Sequence, residues 1–168
     1  MNLYIIRHAI AVDEGTSEYE SDSERPLTDK GRKKMRQIAK GLRSLGVEFD
    51  LILSSPYVRA RETAEILAEV FKMKKKIDFS DNLIPMGNPE LLITEVNEKF
   101  SVESVAVVGH EPHLSALVGL LVGENGKLDV TLKKGGVCYL SADDLHQERR
   151  ATLEWLLTPG ILMEISDT

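Results

Sequence analysis

The chain has one cysteine, one tryptophan and only 5% aromatic residues among its 168 positions. A lone thiol, Cys138, cannot close an internal disulfide, so a disulfide-stapled scaffold is excluded. No apolar run comes near the roughly 20 residues needed to span a bilayer, and no membrane partner is expected. Basic residues are outnumbered: 21 Lys and Arg stand against 27 Asp and Glu, a net charge of −6. That balance argues against a general nucleic-acid binder, which needs a basic surface, and still permits a local basic pocket. Repeats and low-complexity tracts are absent. The opening residues, MNLYIIRHA, bring a charge after a short apolar stretch, unlike a secretory signal with its longer apolar core; a cytoplasmic location is the expectation. What remains is 42% hydrophobic and 29% charged residues, a soluble-globular balance, in a length usual for one domain. We expect a single domain over residues 1–168, acting as a monomer.

Apolar strand-like runs alternate with segments of helical period. Leu3 to Ile6 reads as a buried strand, and the acidic, Ser-rich stretch Val12 to Pro26 as a loop. Thr28 is the N-cap of a helix to about Leu45, with Met35, Ile38, Leu42 and Leu45 at helical spacing and Gly46 as the stop. Its other face is basic: Lys30, Arg32, Lys33, Lys34, Arg36, Lys40 and Arg43. Such a charge run is ordinarily a solvated face, and a docking face for an acidic partner is the sharper reading. Leu51 to Leu53 is a second strand. Ser55 is read as the N-cap of the next helix, with Pro56 at its first position and Ala60, Ala64, Leu67 and Phe71 on its apolar side. Residues Asp78 to Pro89 are turn-rich, and a helix covers about Glu90 to Phe100. Val105 to Val108 is the clearest central strand, Pro112 starts a helix through about Leu121, and the glycines and charges of residues 123–127 end it. Val137 to Leu140 and Ala151 to Leu157 form a terminal strand pair. This order predicts an α/β sandwich with a mostly parallel sheet.

Ligands of open α/β sheets bind beyond the carboxyl ends of the strands. Here those ends carry Arg7-His8, Ser54-Ser55-Pro56 followed by Arg59 and Arg61, and Gly109-His110-Glu111-Pro112. Parallel strands would bring all three to one edge. Arginines supply planar, permanently charged donors for phosphate oxygens, and helix N-termini after Ser55 and Pro112 add oriented N–H groups. The result is an anion site suited to phosphate. A neutral imidazole beside it can accept a phosphoryl group, and neighbouring arginines depress its pKa and keep it neutral near pH 7. Fixed positive charge then stabilises the oxygens in transit. This scheme needs no metal and no cofactor.

Other phosphoryl chemistries fit less well. A cysteine phosphatase loop would require arginine where Asp144 follows Cys138. There is no Asp-x-Asp pair after a strand. Gly126-Lys127 is followed by Leu128 and lacks the first glycine of a phosphate-binding loop. His, Cys and Asp do not cluster at metal-ligand spacing.

Arg7-His8-Ala9, Ser55-Pro56-Tyr57-Val58-Arg59-Ala60 and Gly109-His110-Glu111-Pro112 together resemble the three signatures of the histidine phosphatase superfamily. Ser21-Asp22-Ser23-Glu24-Arg25-Pro26-Leu27-Thr28 with Gly31, and the closing Trp155-Leu156-Leu157-Thr158-Pro159, are similar to its small SixA-type phosphohistidine phosphatases. The resemblance covers most of the chain. It implies a three-layer α/β/α, phosphoglycerate mutase-like fold, with His8 as the phosphorylated nucleophile. It also implies that Arg7 and Arg59 bind phosphate, that His110 completes the pocket, and that Arg25 is a further substrate contact. Two apart on a helix, Arg59 and Arg61 point to different sides; the family pattern selects Arg59. Arg25 pairing with Asp22 or Glu24 is an equal alternative. Ala9 stands where Gly is commonest, and a small residue fits there. Larger members carry a roof that supplies an acid for the leaving group; in the short region available here the candidates are Glu90, Asp13 and Glu111.

The remaining singled-out residues have structural readings. Arg61 pairs with Glu65, Cys138 is a buried thiol, Trp155 belongs to the core, and His113 and His146 are surface or helix-start residues. The function expected is a metal-independent phosphatase working through phosphohistidine on His8. Its substrate would be phosphohistidine on a protein, such as a phosphotransfer domain of two-component signalling. The rivals are a small-molecule phosphomonoesterase, with a mutase disfavoured for want of an enclosed site, and a non-catalytic phosphate-recognition module, against which intact Arg7, His8, Arg59 and His110 argue.

Overall fold

The computed structural model describes residues 1–16, 18–123, 128–145 and 151–166. Among these, six strands form one sheet: β1 (Asn2–Arg7), β2 (Leu51–Ser54), β3 (Ile77–Phe79), β4 (Ser104–Gly109), β5 (Val137–Ser141) and β6 (Thr152–Leu157), in the spatial order β3-β2-β4-β1-β5-β6. β1, β2, β3 and β4 are parallel, and β5 runs against both of its neighbours. Five helices accompany them: α1 (Asp29–Ser44), α2 (Val58–Val70), α3 (Pro89–Lys99), α4 (His113–Val122) and α5 (Pro159–Ser166).

Alternation along β1 divides the core in two. Tyr4 and Ile6 face α1, α2 and α5, packing with Met35, Ile38, Leu42, Ala64, Leu67 and Leu162. Leu3 and Ile5 face α3 and α4, packing with Leu92, Val96, Leu114, Leu117 and Val118. Each fully buried aliphatic side chain contributes about 1.5–3 kcal/mol. The three-layer α/β/α sandwich is therefore the observed architecture. Cys138 is buried in β5, and its thiol pKa is pushed up to about 12 by burial. Trp155, half-buried, packs against Tyr139 and Tyr4 at the edge of the core.

Helix α1 begins where its sequence specifies. The Thr28 hydroxyl accepts from the Gly31 N–H at 2.9 Å, and Thr28 N–H donates to the Ile10 carbonyl at 3.0 Å. A Cβ on Gly31 would lie 2.0 Å from the Ile10 carbonyl oxygen, so only glycine lets α1 approach the segment that follows His8. Farther along, Gly41 meets α5 in the same way at the Leu162 carbonyl oxygen.

The structure departs from the sequence reading at four places. Ser55 is not an N-cap: α2 starts at Val58 with Tyr57 as cap, and the Ser55 hydroxyl is engaged by His110 instead. Strand β3 lies partly in the stretch read as turns; it is a three-residue edge strand with Asp78 and Phe79 exposed, too short to show a period. Helix α5 has no counterpart in the sequence reading; Pro159 opens it, in keeping with the suitability of proline for a first helical turn. His113 does open α4, but it is buried at 3% exposure beside the Asn82 backbone rather than on the surface. His146 and the Gly126-Lys127 pair lie outside the described residues.

Candidate active site

The carboxyl ends of β1, β2 and β4 meet at one edge because β4 sits between the other two. His8 follows β1, and its N–H donates to the Gly109 carbonyl at 3.0 Å. Ser55 follows β2, its N–H on the Val108 carbonyl at 2.9 Å. The His8 and His110 rings come within 5.0 Å, centroid to centroid. Arg59 is brought in by the first turn of α2 and is 4% exposed.

His8 is held in one tautomer. Its Nδ1 lies 2.7 Å from the Ala9 carbonyl oxygen, which can only accept, so Nδ1 carries the proton and Nε2 is bare. Arg59 Nε donates to that Nε2 at 3.3 Å. Burial pushes the His8 pKa down to about 3; the Ala9 hydrogen bond opposes this, and the charges of Arg59, Arg7 and Lys134 reinforce it. His110 is pushed down to about 2, mainly by burial, with help from His8 and Arg59 and opposition from Asp22. Both rings are neutral near pH 7.

The arginines divide the surrounding space. Arg7 donates from Nη1 to the Leu132 carbonyl at 2.8 Å, while its buried Nε has no partner among the described residues. Burial lowers its pKa and the nearby Glu111 charge raises it. Arg59 is gripped from the side away from His8. Its Nη1 donates to the Asp22 carbonyl at 2.7 Å and its Nη2 to Asp22 Oδ2 at 2.9 Å. The guanidinium also lies 5.2 Å from the centre of the Tyr57 ring, within cation–π range. Arg61 turns outward and pairs with Glu65 at 3.7 Å.

Arg25 reaches the site through Asp22. Its Nε donates to Asp22 Oδ1 at 2.8 Å and its Nη1 to the Val12 carbonyl at 2.6 Å. Burial opposes ionisation of Asp22, but hydrogen bonds from Arg25 and Arg59 outweigh it and hold the carboxyl below its usual range. Of the three candidate acids, Asp13 and Glu90 are exposed in their loop and helix start. Of the three, Glu111 alone has a buried carboxylate oxygen without a partner among the described residues, and its charge is felt by Arg7. Among the described residues no group of three or more His, Cys, Asp and Glu gathers as a metal site.

Sequence reasoning missed several supports. Asp22 stood inside the quoted Ser-Asp-Ser-Glu-Arg-Pro-Leu-Thr segment and was weighed only as a partner for Arg25. Thr63 Oγ1 accepts from Ala9 N–H at 3.1 Å and donates to the Arg59 carbonyl at 2.7 Å, tying nucleophile loop to helix. Glu62 accepts from Leu27 N–H at 2.7 Å and from Arg32 at 2.7 Å, anchoring the loop that carries Asp22. Lys134 influences His8 from the connection before β5.

A buried bare imidazole nitrogen, flanked by guanidinium groups at the carboxyl edge of a parallel sheet, is the arrangement of a phosphoryl acceptor. The sequence profile of the histidine phosphatase superfamily, branch 1, matches residues 3–101, and the chain belongs to that superfamily and is a phosphatase. Its relatives narrow the comparison. The phosphohistidine phosphatase SixA of Escherichia coli is 28% identical over 163 residues, covering 95% of this chain and 94% of that protein. An uncharacterised protein of a Picosynechococcus species is 35% identical over 143 residues, covering 83% and 84% of the two chains. The solved structure of the protein histidine phosphatase SixA complexed with tungstate superposes with a TM-score of 0.82 at 28% identity, over 96% of this chain and 99% of that one.

Proposed function

We propose that this phosphatase removes phosphate from phosphohistidine on other proteins, through a covalent phosphohistidine at its own His8. The observation that carries the chemistry is the tautomer of His8: the Ala9 carbonyl takes the Nδ1 proton and leaves the Nε2 lone pair for phosphorus. As the Nε2–P bond forms, the bond from phosphorus to the leaving nitrogen breaks, and that nitrogen keeps the electron pair and takes a proton. Water then forms the fourth P–O bond and loses a proton to the departing phosphate or to solvent, the P–Nε2 bond breaks, and His8 recovers its lone pair as inorganic phosphate departs. Arg7, Arg59 and His110 hold the phosphoryl oxygens, stabilising charge with donors that are already in place. Arg25 acts through Asp22, which sets the orientation of Arg59.

The substrate class follows from two considerations. The likeness to phosphohistidine phosphatases extends over almost the whole chain. The connection between β3 and α3 holds only a short 3₁₀ turn, so an open rim accommodates a phosphorylated side chain presented on a protein surface, such as a phosphotransfer domain of a two-component pathway. In this reading the enzyme works as a single-domain monomer in the cytoplasm.

The test is a matched comparison of kcat/KM for a phosphohistidine-bearing domain and a panel of small phosphate esters. A preference of orders of magnitude for the domain is expected. Preference for one small ester would overturn the protein substrate and move the same catalytic set into small-molecule metabolism.

A further inference from the structure

A buried hydroxyl determines which ring nitrogen of His110 carries the proton. Ser55 is 0% exposed. Its Oγ accepts from the Tyr57 N–H at 3.3 Å and lies 2.9 Å from His110 Nε2. The neighbouring Ser54 hydroxyl is occupied by the Ser55 carbonyl at 2.9 Å and does not compete. A serine hydroxyl has one proton to give and two lone pairs. The Tyr57 amide can only donate, so it takes one lone pair.

Two arrangements remain. If His110 Nε2 carried the proton and donated to Ser55, the serine proton would have no acceptor among the described residues. His110 Nδ1 would then be a bare acceptor, and it is buried with no partner among the described residues. Two buried groups would be unsatisfied, each left with the full penalty of its lost hydration. If Ser55 donates to Nε2 instead, only the Nδ1–H is left over. An orphan donor in a site built for an anion has an obvious use.

We infer that Ser55 is a positioning residue, which fixes His110 as the Nδ1–H tautomer and presents that N–H to the phosphoryl group carried by His8. The two histidines then face each other in opposite states. His8 bonds through Nδ1–H to the Ala9 carbonyl and offers a lone pair at Nε2; His110 is bonded at Nε2 and offers a proton donor at Nδ1. With the rings 5.0 Å apart, one supplies the nucleophile and the other a donor that is satisfied once a phosphoryl oxygen arrives. The inference rests on the phosphoryl-transfer role proposed above, but the tautomer itself does not.

The experiment is nitrogen-15 NMR of the full chain labelled at histidine, without substrate, for the wild type, Ser55→Ala and Ser55→Thr. Protonated and bare ring nitrogens resonate far apart, and His110→Gln identifies the His110 signals. The wild type is expected to show a protonated Nδ1 and a bare Nε2. Ser55→Ala should mix the tautomers and lower kcat by roughly 10–100-fold, with KM changed much less, while Ser55→Thr, which keeps the hydroxyl, retains both the signature and most of kcat. A wild-type His110 protonated at Nε2 would overturn the inference, and so would a Ser55→Ala enzyme that keeps the Nδ1–H and full kcat. Because the ring signals are read without substrate, they stand apart from the matched kinetics that test the substrate class.

Discussion

Arg59 Nε donates to His8 Nε2 at 3.3 Å, so the guanidinium occupies the in-plane edge of the ring from which phosphorus must approach. Asp22 holds the opposite end of the same group, accepting from Nη1 and Nη2. Substrate oxygens must therefore take over the Nε–H from His8, releasing the lone pair as they bind. Lysine cannot span both duties, since it lacks the planar fork. Arg59→Lys is expected to lower kcat/KM by about 100-fold, and Asp22→Asn by less, as measured by steady-state kinetics on one substrate. Equal effects would mean that Asp22 does more than orient Arg59.

Replacing the nucleophile removes turnover. His8→Ala should lower kcat by at least ~1000-fold while vanadate still binds weakly. In the wild type, rapid quenching should trap phosphate on His8 that is labile to acid and stable to base. Turnover at the wild-type rate would remove His8 from the role.

Acid should unfold this protein partly through its histidines. In the fold His8 is lowered to about 3 and His110 to about 2 from the ordinary 6.5. Their neutral forms are those of the native site, so stability is intact above pH 6.5. It falls as pH drops from 6.5 toward the folded values, because only the unfolded chain takes up protons in that window. At about 1.4 kcal/mol per unit, His8 alone accounts for a loss on the order of 5 kcal/mol over the whole window. Urea unfolding followed by circular dichroism between pH 7 and 3 should show this slope, and His8→Asn should flatten it. An unaltered slope in the variant would refute the assignment.

Glu111 is the acid the geometry favours. Phosphohistidine has a labile P–N bond, whereas an ester leaves as an alkoxide and needs a proton more. Glu111→Gln should slow ester hydrolysis by roughly 10–100-fold and phosphohistidine hydrolysis less. Equal loss on both substrates would point to its influence on Arg7 instead.

The basic face of α1 is partly occupied within the chain: Arg32 pairs with Glu62, Arg36 with Glu69 and Arg43 with the Val70 carbonyl. Among the described residues no ion pair engages Lys33, Lys34 or the other lysines of this face. Reversing charge with Lys33→Glu and Lys34→Glu should raise KM for a phosphohistidine domain several-fold and spare a small ester. An unchanged ratio would leave this face simply solvated.

The sequence displayed the strand ends clearly because each apolar run stops at a residue with chemistry: Arg7-His8, Ser54-Ser55 and Gly109-His110. Parallel pairing then put them together without further information. Thr28, Gly46 and Pro112 marked helix ends through local rules that operate within one turn. What stayed hidden depended on distant partners. Ser55 satisfies every local criterion for an N-cap, yet a histidine just beyond β4 claims its hydroxyl. Asp22 looked like a surface carboxylate beside Arg25 until the fold laid its loop across α2. Strand β3 exists because β2 offers it an edge to pair with, which no window of three residues records.

The position of β4 has a consequence for how the enzyme comes into being. It lies between β1 and β2 in the sheet, although it is synthesised after both. A nascent chain that has emerged only through α3 therefore holds its nucleophile and its principal arginine with no strand to bridge them. Pairings of such long sequence separation form late and slowly. The catalytic set is therefore complete only when β4 has been inserted between two strands made before it.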